Sequence, residues 1–276
     1  MEIFRDVLLP VSSEFFPEKA VERAAEFSRI FGSNIHVLYI IEEKTMKKME
    51  EVLQPFLTER QRKRIEEGME RMMESVAEIV FDSVREMLPT LSRNVRYGEF
   101  SDVIGEFVEK NNISCILTGF EKDCFIHYRL LESISMPIWV ENGKGSRIVG
   151  VCSNLAPNVK VPPFTIKLAE AMKKDACLLY IIDTSEKVIV NEEGNKKEAG
   201  LEEMRGEGEK FMKKYGGQVK VEIVEGKLEE EMAKYARKND ADVTIVGREM
   251  KRRGVLVKEL RKEMVEKSHN SILFLN

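Results

Sequence analysis

The residues that most directly suggest chemistry are a glycine and the cations that follow it, in the segment VGREMKRRG at 246–254. Gly247 comes after an apolar run typical of a buried strand. A glycine between such a strand and a helix is where α/β proteins hold phosphate groups. The cations are Arg248, Lys251, Arg252 and Arg253. The segment predicts either an anion site or a solvated basic turn, since charged runs most often lie in solvent.

Metal and nucleophilic chemistry have little support in the sequence. The cysteines form no CxxC pair, and three of them lie in apolar runs that predict buried, reduced thiols; they are Cys115, Cys124, Cys152 and Cys177. The histidines have no ligand spacing; they are His36, His127 and His269. We therefore expect no catalytic residue and no metal site, because neither zinc ligation nor a Ser/His/Asp triad has the residues it needs.

The charge balance limits the partners. The chain of 276 residues has a formal net charge of -4, which argues against general affinity for nucleic acid or anionic lipid. It contains no apolar run long enough to span a membrane, and MEIFRDVLLP lacks the basic start of a signal peptide. We expect a cytoplasmic protein without a membrane or nucleic-acid partner. The charged fraction of 33% is typical of thermophile surfaces and favours a thermophilic source.

The elements that must position Gly247 occur twice along the chain. DVLLPVS at 6–12 resembles RIVGVCS at 147–153, and HVLYIIEE at 36–43 resembles CLLYIIDT at 177–184, with the same spacing between the two blocks in each half. A third pair, 97–119 and 225–247, keeps the order but follows more closely in the second half, so the first half carries extra chain before this block. A repeat of this length predicts two copies of one domain.

Each copy alternates short, continuous apolar runs with amphipathic segments. Continuous runs predict strands buried on both faces of a parallel sheet, and the alternation predicts a doubly wound α/β fold with five parallel strands per half. The domains are predicted at 1–142 and 146–276. A long helix is predicted from Thr58 to Leu88, and the polar segment 188–200 is predicted to be a mobile loop. The predicted apolar face of the long helix is Ile65, Met69, Met72, Val76, Val80, Val84 and Met87.

With these blocks the chain resembles the universal stress protein family in its tandem form. The resemblance covers nearly the whole length and rests on the strand and turn near residue 10, the YII strand endings, NDADVTIVG and the closing strand. It implies the fold of the adenine nucleotide alpha hydrolases, binding of AMP or ATP in some members, and dimers or pseudo-dimers. By this analogy the last strands, 137–141 and 271–276, would pair as an intrachain pseudo-dimer, while homodimerisation and the protein partner stay open.

The family's nucleotide cradle, G-x-x-G-x9-G-[ST], is only partly present in the second half. Gly247 matches the first glycine, but Met250 replaces the second, and Lys258 with Glu259 replaces the final pair. Ser153 stands at the position of the family's aspartate. The resemblance places adenine against Val151 and Ile181, and side-chain cations would take over from the missing amides; these are Arg248, Lys251, Arg252, Arg253 and Lys258.

The first half has the poorer version of the same site. Gly119 is kept, Lys122 replaces the second glycine, and Ser12 replaces the aspartate; Ile40 is the counterpart of Ile181. The loop from Gly119 to the last strand at Pro137 is shorter than its counterpart from Gly247 to Ser271. We expect this site to be closed or repurposed.

Two functions remain from these observations. The first is a non-enzymatic stress-response regulator or adaptor whose second domain binds an adenine nucleotide. The second is a structural interaction module with no ligand in either pocket. An adenylating enzyme or PP-loop ATPase is disfavoured, because neither PVSSEF nor VCSNLA provides the SGGxDS or HIGH motif.

Overall fold

The computed structural model describes residues 1–12, 15–42, 58–120, 130, 136–156, 159–191, 195–247 and 256–275, without the side chains of residues 62, 66, 70 and 256–260. The chain forms two compact units. Apart from short segments between residues 120 and 134, Met1–Gly119 belongs to the first unit and Ser135–Asn276 to the second.

Four parallel strands form the sheet of the first unit, in the order β4-β1-β2-β3. They are β1 (Asp6–Ser12), β2 (Asn34–Glu42), β3 (Ser92–Gly98) and β4 (Cys115–Gly119). The helices are α1 (Glu18–Phe31), α2 (Glu59–Met87) and α3 (Phe100–Asn111), after a 3-10 turn at Glu2–Phe4. Residues of β1, β2 and β4 are almost all buried, as their continuous apolar runs predict.

Local sequence signals set the ends of the helices. The backbone N–H of Thr58 donates to Gln61 Oε1 at 2.9 Å, and the pair forms a capping box at the start of α2. Gly32 ends α1 with φ at +66°, a left-handed conformation that glycine adopts without steric cost. The predicted bounds of α2 are confirmed.

The apolar face predicted for α2 is partly wrong. The residues buried against the first unit are Met69, Met73, Ala77, Phe81, Val84 and Leu88. Met72 and Met87, which belong to the predicted face, are exposed. The helix carries two neighbouring apolar faces, and packing of Phe81 against Tyr39, with ring centroids 6.5 Å apart, selects the one that is buried.

The second unit has a sheet in the order β10-β7-β6-β11-β12-β5. Its strands are β5 (Ile138–Glu141), β6 (Arg147–Ser153), β7 (Asp175–Asp183), β10 (Lys220–Gly226), β11 (Ala241–Gly247) and β12 (Ser271–Leu275). Its helices are α4 (Val161–Met172), α5 (Leu201–Tyr215), α6 (Leu228–Lys238) and α7 (Leu256–Lys267). Five strands run parallel, and β5 pairs antiparallel with β12, so the predicted pairing of the last strands is confirmed. The doubly wound α/β fold is confirmed.

The prediction of a mobile loop at 188–200 is wrong for most of its length. Two short strands, β8 (Val188–Val190) and β9 (Lys196–Glu198), pair antiparallel as a hairpin. An N–H···O bond from Val190 to the carbonyl of Asn154, at 2.8 Å, joins the hairpin to the residue that follows β6. A contact far away along the chain, rather than local propensity, therefore orders this segment.

Three of the four cysteines are buried free thiols, as predicted: Cys115, Cys152 and Cys177. Burial raises the pKa of Cys152 and of Cys177. Cys124 lies outside the described residues. Within the described part of the chain, no helix has the length and apolar character needed to cross a membrane.

Candidate functional site

The second unit brings four predicted site residues together at the carboxyl ends of three adjacent strands. Ser153 of β6 is in register with Ile181 of β7, and Val151 is in register with Val246, which precedes Gly247 in β11. The strand order reverses between β6 and β11, and crevices at such points are where doubly wound sheets bind ligands. The side chains of Val151 and Ile181 are buried in the sheet, so only their backbone groups can face a ligand.

A tight turn follows Ser153. The Leu155 N–H donates to Ser153 Oγ at 2.9 Å, and the Ala156 N–H donates to the Ser153 carbonyl at 3.3 Å. Asn154, which the sequence analysis did not single out, donates from Nδ2 to the Val188 carbonyl at 2.8 Å and accepts from the Asp183 N–H at 2.7 Å. This buried amide joins the turn to the end of β7 and to the hairpin.

A cleft of about 330 Å³ opens beside this turn. Ser153, Asn154 and Ala156 form one side of it, the hairpin residues Ile189, Val190 and Asn191 another, and β7 and α5 supply Tyr180, Glu207, Lys210, Phe211, Lys214 and Tyr215. The cleft therefore combines aromatic rings with two lysines and one carboxylate. Apolar surface with a few polar groups is the lining typical of small-molecule sites.

The aromatic wall of the cleft depends on a glycine in α5. A Cβ atom on Gly208 would lie 3.3 Å from Tyr180 Cδ1, so the helix approaches β7 closely. The Tyr180 and Phe211 rings then lie 5.1 Å apart between centroids, and Tyr215 continues the wall 4.9 Å from Phe211. Tyr180 is 4% exposed, and burial raises the pKa of its phenol, which keeps it protonated.

The cleft lysines already have neighbours of their own. Lys210 Nζ lies 2.7 Å from Glu207 Oε1, and the hydrogen bond to this carboxylate raises the pKa of the lysine. Lys214 Nζ lies 5.3 Å from the centroid of the Tyr215 ring, a cation–π distance. Both side chains are exposed, so they can turn toward an anion in the cleft at little cost.

The two helix N-termini nearest the strand ends offer little to a phosphate. Pro162 and Pro163 occupy the first turn of α4 and have no N–H to donate. At the start of α6 the buried carboxylate of Asp183 accepts from the Leu228 N–H at 3.0 Å and from the Ser185 N–H at 2.8 Å. A phosphate in the second unit would therefore depend on the segment after Gly247.

The corresponding crevice of the first unit is filled by protein. Phe15 is 1% exposed and forms an antiparallel bridge with Ser12, in which the Ser12 N–H donates to the Phe15 carbonyl at 3.0 Å. A Cβ on Gly119 would lie 2.7 Å from Pro17 Cβ and 3.7 Å from Phe15 Cζ. The space beside Gly119 is thus taken by these two side chains, and Ser12 and Ile40 are buried beneath.

Gly247 has much more room than Gly119. Among the described residues, the nearest atom is Val161 Cγ2, which would lie 3.5 Å from an added Cβ, an ordinary van der Waals contact. Arg248, Arg252 and Arg253 lie outside the described residues, as does Lys122 in the first half; Lys258 belongs to α7, but its side chain is not described. Among the described residues no group of three metal-ligating side chains occurs.

Comparison with known proteins gives one family model and several solved structures of similar fold. Residues 4–138 match the model of the universal stress protein family, whereas comparison with curated proteins yields no match. The chain is similar to the crystal structure of a universal stress protein from Archaeoglobus fulgidus, with a TM-score of 0.62 and 12% identity over 99% of this chain and 97% of that one. A functionally unknown protein from Pseudomonas aeruginosa is similar with a TM-score of 0.64 and 14% identity over 99% and 92%. Both likenesses show the fold.

Proposed function

Because the chain belongs to the universal stress protein family, we propose that it is a non-enzymatic stress-response regulator or adaptor that binds one adenine nucleotide, AMP or ATP, in its second unit. The first unit serves as a structural partner without a nucleotide. The observation that carries this proposal is the difference between the two crevices. The second unit has an open cleft beside Ser153, whereas Phe15 and Pro17 occupy the space beside Gly119 in the first.

The cleft supports the adenine end of the ligand. A purine is flat, and the wall formed by Tyr180, Phe211 and Tyr215 offers it apolar and stacking contacts. Backbone groups at the ends of β6 and β7 lie at the same edge of the sheet, where they can read the polar edge of the base. This assignment places the base beside Ser153 rather than against the buried side chains of Val151 and Ile181.

The phosphate groups of the nucleotide would be bound mainly by charged side chains. The amides of α4 and α6 are blocked by Pro162, Pro163 and Asp183, so the cations of the 248–253 segment become the main phosphate ligands. Binding through side-chain cations depends strongly on salt, because the Debye length falls from about 10 Å at 0.1 M to about 3 Å at 1 M. Nucleotide affinity is therefore expected to fall steeply as salt is added.

The proposal is tested by thermal unfolding with AMP and with ATP. At a nucleotide concentration a hundredfold above Kd, binding to the native state stabilises by about 2.7 kcal/mol and raises Tm. The double variant Arg252→Ala/Arg253→Ala should lose this rise, while Lys122→Ala, which removes a cation from the sister loop, should keep it. An unchanged rise in the double variant would show that the arginines do not hold the phosphates.

The alternative, an interaction module without ligand, predicts no rise in Tm with either nucleotide. It is favoured by one observation, the exposed apolar residues on α2, of which Met72 is 48% and Ile79 is 66% exposed. A protein can carry out both roles, and the surface of α2 is independent of the cleft.

A further inference from the structure

A second cleft, of about 600 Å³, lies between helices α6 and α7 of the second unit. Both helices end where β11 and β12 begin, at the edge of the sheet opposite to Ser153 and Gly247. Its volume is within the range of small-molecule sites, which is about 300–1,000 Å³. Its described lining contains two carboxylates, a histidine, an alanine and four cations, and the cations are Lys234, Arg237, Lys238 and Lys267.

The two carboxylates of this second cleft are paired with cations outside it. A carboxylate oxygen of Glu230 lies 3.5 Å from Lys227 Nζ, and one of Glu266 lies 3.8 Å from Lys262 Nζ. Neither of these lysines lines the cleft. The carboxylates are therefore not the main counter-charges of the four cations.

Two of the four cations are paired in the same way, with carboxylates that do not line the cleft. Lys267 Nζ lies 3.4 Å from Glu229 Oε1 and 3.3 Å from Glu263 Oε2. Lys234 Nζ lies 3.4 Å from both carboxylate oxygens of Glu231. These lysines add positive potential to the cleft, but each already has a counter-charge.

Arg237 and Lys238, in the last turn of α6, are exposed, and neither has an ion pair with a residue that the structure describes. Cations in the last turn of a helix meet the negative end of its dipole, but this interaction is weak at exposed positions and leaves the side chains charged. Two positive charges therefore remain at this end of the cleft. A phosphate monoester carries nearly two negative charges at pH 7, so one such group matches them.

The chemistry of the remaining lining limits the rest of the ligand. Glu230 and Glu266 offer oxygens that accept hydrogen bonds from hydroxyl groups, and the exposed His269 can donate or accept. Among the described residues of this lining none is Phe, Tyr or Trp, so a nucleotide base would have no wall like that of Tyr180 and Phe211. A body rich in hydroxyl groups fits better than a base.

We propose that this second cleft binds a small phosphorylated sugar or polyol. The planar guanidinium of Arg237 donates two hydrogen bonds to the phosphate group, and Lys238 adds a point charge. Glu230 lies eight residues before Lys238 in α6, about 12 Å along the helix, so it meets the hydroxyl groups at the other end of the ligand. The site is separate from the nucleotide cleft, and its ligand adds to the proposed function.

The phosphate contact is tested by titration calorimetry of the full chain with glucose 6-phosphate, ribose 5-phosphate, inorganic phosphate and glucose, at one ionic strength set with sodium chloride. At least one of the sugar phosphates should bind more tightly than inorganic phosphate, and glucose should not bind measurably. Arg237→Gln/Lys238→Gln should raise the Kd of that sugar phosphate at least about tenfold. Both side chains are exposed and glutamine is a good helix former, so the variant should fold.

The matched control removes two cations at equivalent places in the first unit. Arg29 and Lys110 are exposed and lie in the last turns of α1 and α3. Arg29→Gln/Lys110→Gln therefore changes the net charge and the helix dipoles in the same way, and it should leave the Kd unchanged. An equal loss of affinity in this control would show that overall charge, rather than the second cleft, attracts the ligand.

The hydroxyl contact is tested with Glu230→Ala. This variant should weaken binding of the sugar phosphate at least about threefold, because hydrogen bonds to a carboxylate are lost. It should not weaken binding of inorganic phosphate, since a negative charge is removed from the cleft. Opposite changes for the two ligands separate a contact with the sugar from a general change in potential.

Three results would overturn the proposal. If neither sugar phosphate binds the folded parent, the second cleft is a solvated basic surface. If Arg237→Gln/Lys238→Gln binds as tightly as the parent, the phosphate group lies elsewhere. If inorganic phosphate binds as tightly as both sugar phosphates, the cleft has no contact with a sugar.

Discussion

The turns after β1 and β6 share one backbone hydrogen bond and differ in the side chain that this bond positions. In both, the residue three positions after the serine donates its N–H to the serine carbonyl at 3.3 Å: Phe15 to Ser12, and Ala156 to Ser153. The alignment of the two halves that matches Ser12 with Ser153 also matches Phe15 with Ala156. In the first unit this position carries a buried ring, and in the second it carries a methyl group that lines the open cleft.

This difference shows how a duplicated domain can specialise without changing its fold. Both strand ends carry a serine, and both β4 and β11 end in a glycine. The two sites differ in the space that Phe15 and Pro17 take in the first unit, in the hairpin that lines the cleft of the second, and in the chain length that follows the glycine. We interpret the first crevice as one converted from ligand binding to stability, and the second as one left open.

The largest expected effect comes from Phe15→Ala. Removal of a fully buried aromatic ring destabilises a core by about 3–5 kcal/mol, since the lost contacts leave a cavity. Urea unfolding, followed by intrinsic fluorescence, should show this loss of unfolding free energy. Ala156→Gly, at the matched position, should cost less than about 1 kcal/mol. A cost for Phe15→Ala as small as that of Ala156→Gly would mean that the ring does not fill the crevice.

The next effect is on binding. Ala156→Phe gives the second turn the ring of the first and should obstruct the cleft beside Ser153. We expect the Kd for ATP to rise at least about tenfold, which corresponds to about 1.4 kcal/mol. Titration calorimetry measures this change, and unfolding of the variant without nucleotide serves as the control. Unchanged affinity would place the base outside this cleft.

Replacement of Gly119 and of Gly247 by alanine should have a smaller effect, and it compares the two units at matched strand ends. A Cβ at Gly119 would lie 2.7 Å from Pro17 Cβ, whereas one at Gly247 would lie 3.5 Å from Val161 Cγ2. Gly119→Ala is therefore expected to cost about 1–3 kcal/mol of unfolding free energy, and Gly247→Ala less than about 0.5 kcal/mol. Equal costs would contradict the difference in packing.

The smallest expected effect on stability concerns the first residues of β1 and β6, which are Asp6 and Arg147. The hydrogen bond from Asn34 Nδ2, at 3.0 Å, lowers the pKa of Asp6, with His36 acting in the same direction. Because the pKa of Asp6 is lower in the folded than in the unfolded state, its carboxylate stabilises the fold at pH values above the unfolded pKa. This stabilisation is lost as the pH falls through the folded pKa. Asp6→Asn should thus cost less than about 1 kcal/mol near neutral pH and nothing at about pH 2, by denaturant titration at both pH values. A cost that does not depend on pH would exclude ionisation as its cause.

Much of the fold could be predicted because it is encoded over short distances. The long apolar period located α2 between Thr58 and Leu88, and the continuous apolar runs located the strands. The collinear repeat carried the strand assignments into the second half. The buried face of α2 could not be predicted the same way, because two neighbouring faces are apolar and the choice depends on the sheet beneath.

The site was predicted less completely for a related reason. Ser153 and Gly247 follow from strand ends, which the repeat reveals. Asn154 and Tyr180 act through contacts with the hairpin and with α5, and these depend on packing between distant segments. The available signals were weak ones: an asparagine directly after a buried strand, and a glycine inside a helix at Gly208. The hairpin at 188–198 was missed because its polar sequence has no strand period.

The most direct test of the central claim is the number of nucleotides bound per chain. Equilibrium dialysis of the nucleotide-free protein with radiolabelled ATP and, separately, AMP should saturate at one nucleotide per chain for at least one of them. Ala156→Phe should reduce this number toward zero at the same free concentration, and Lys122→Ala should leave it at one. Two nucleotides per chain would show that the first crevice binds despite Phe15 and Pro17, and none would show that the second crevice is as closed to nucleotide as the first.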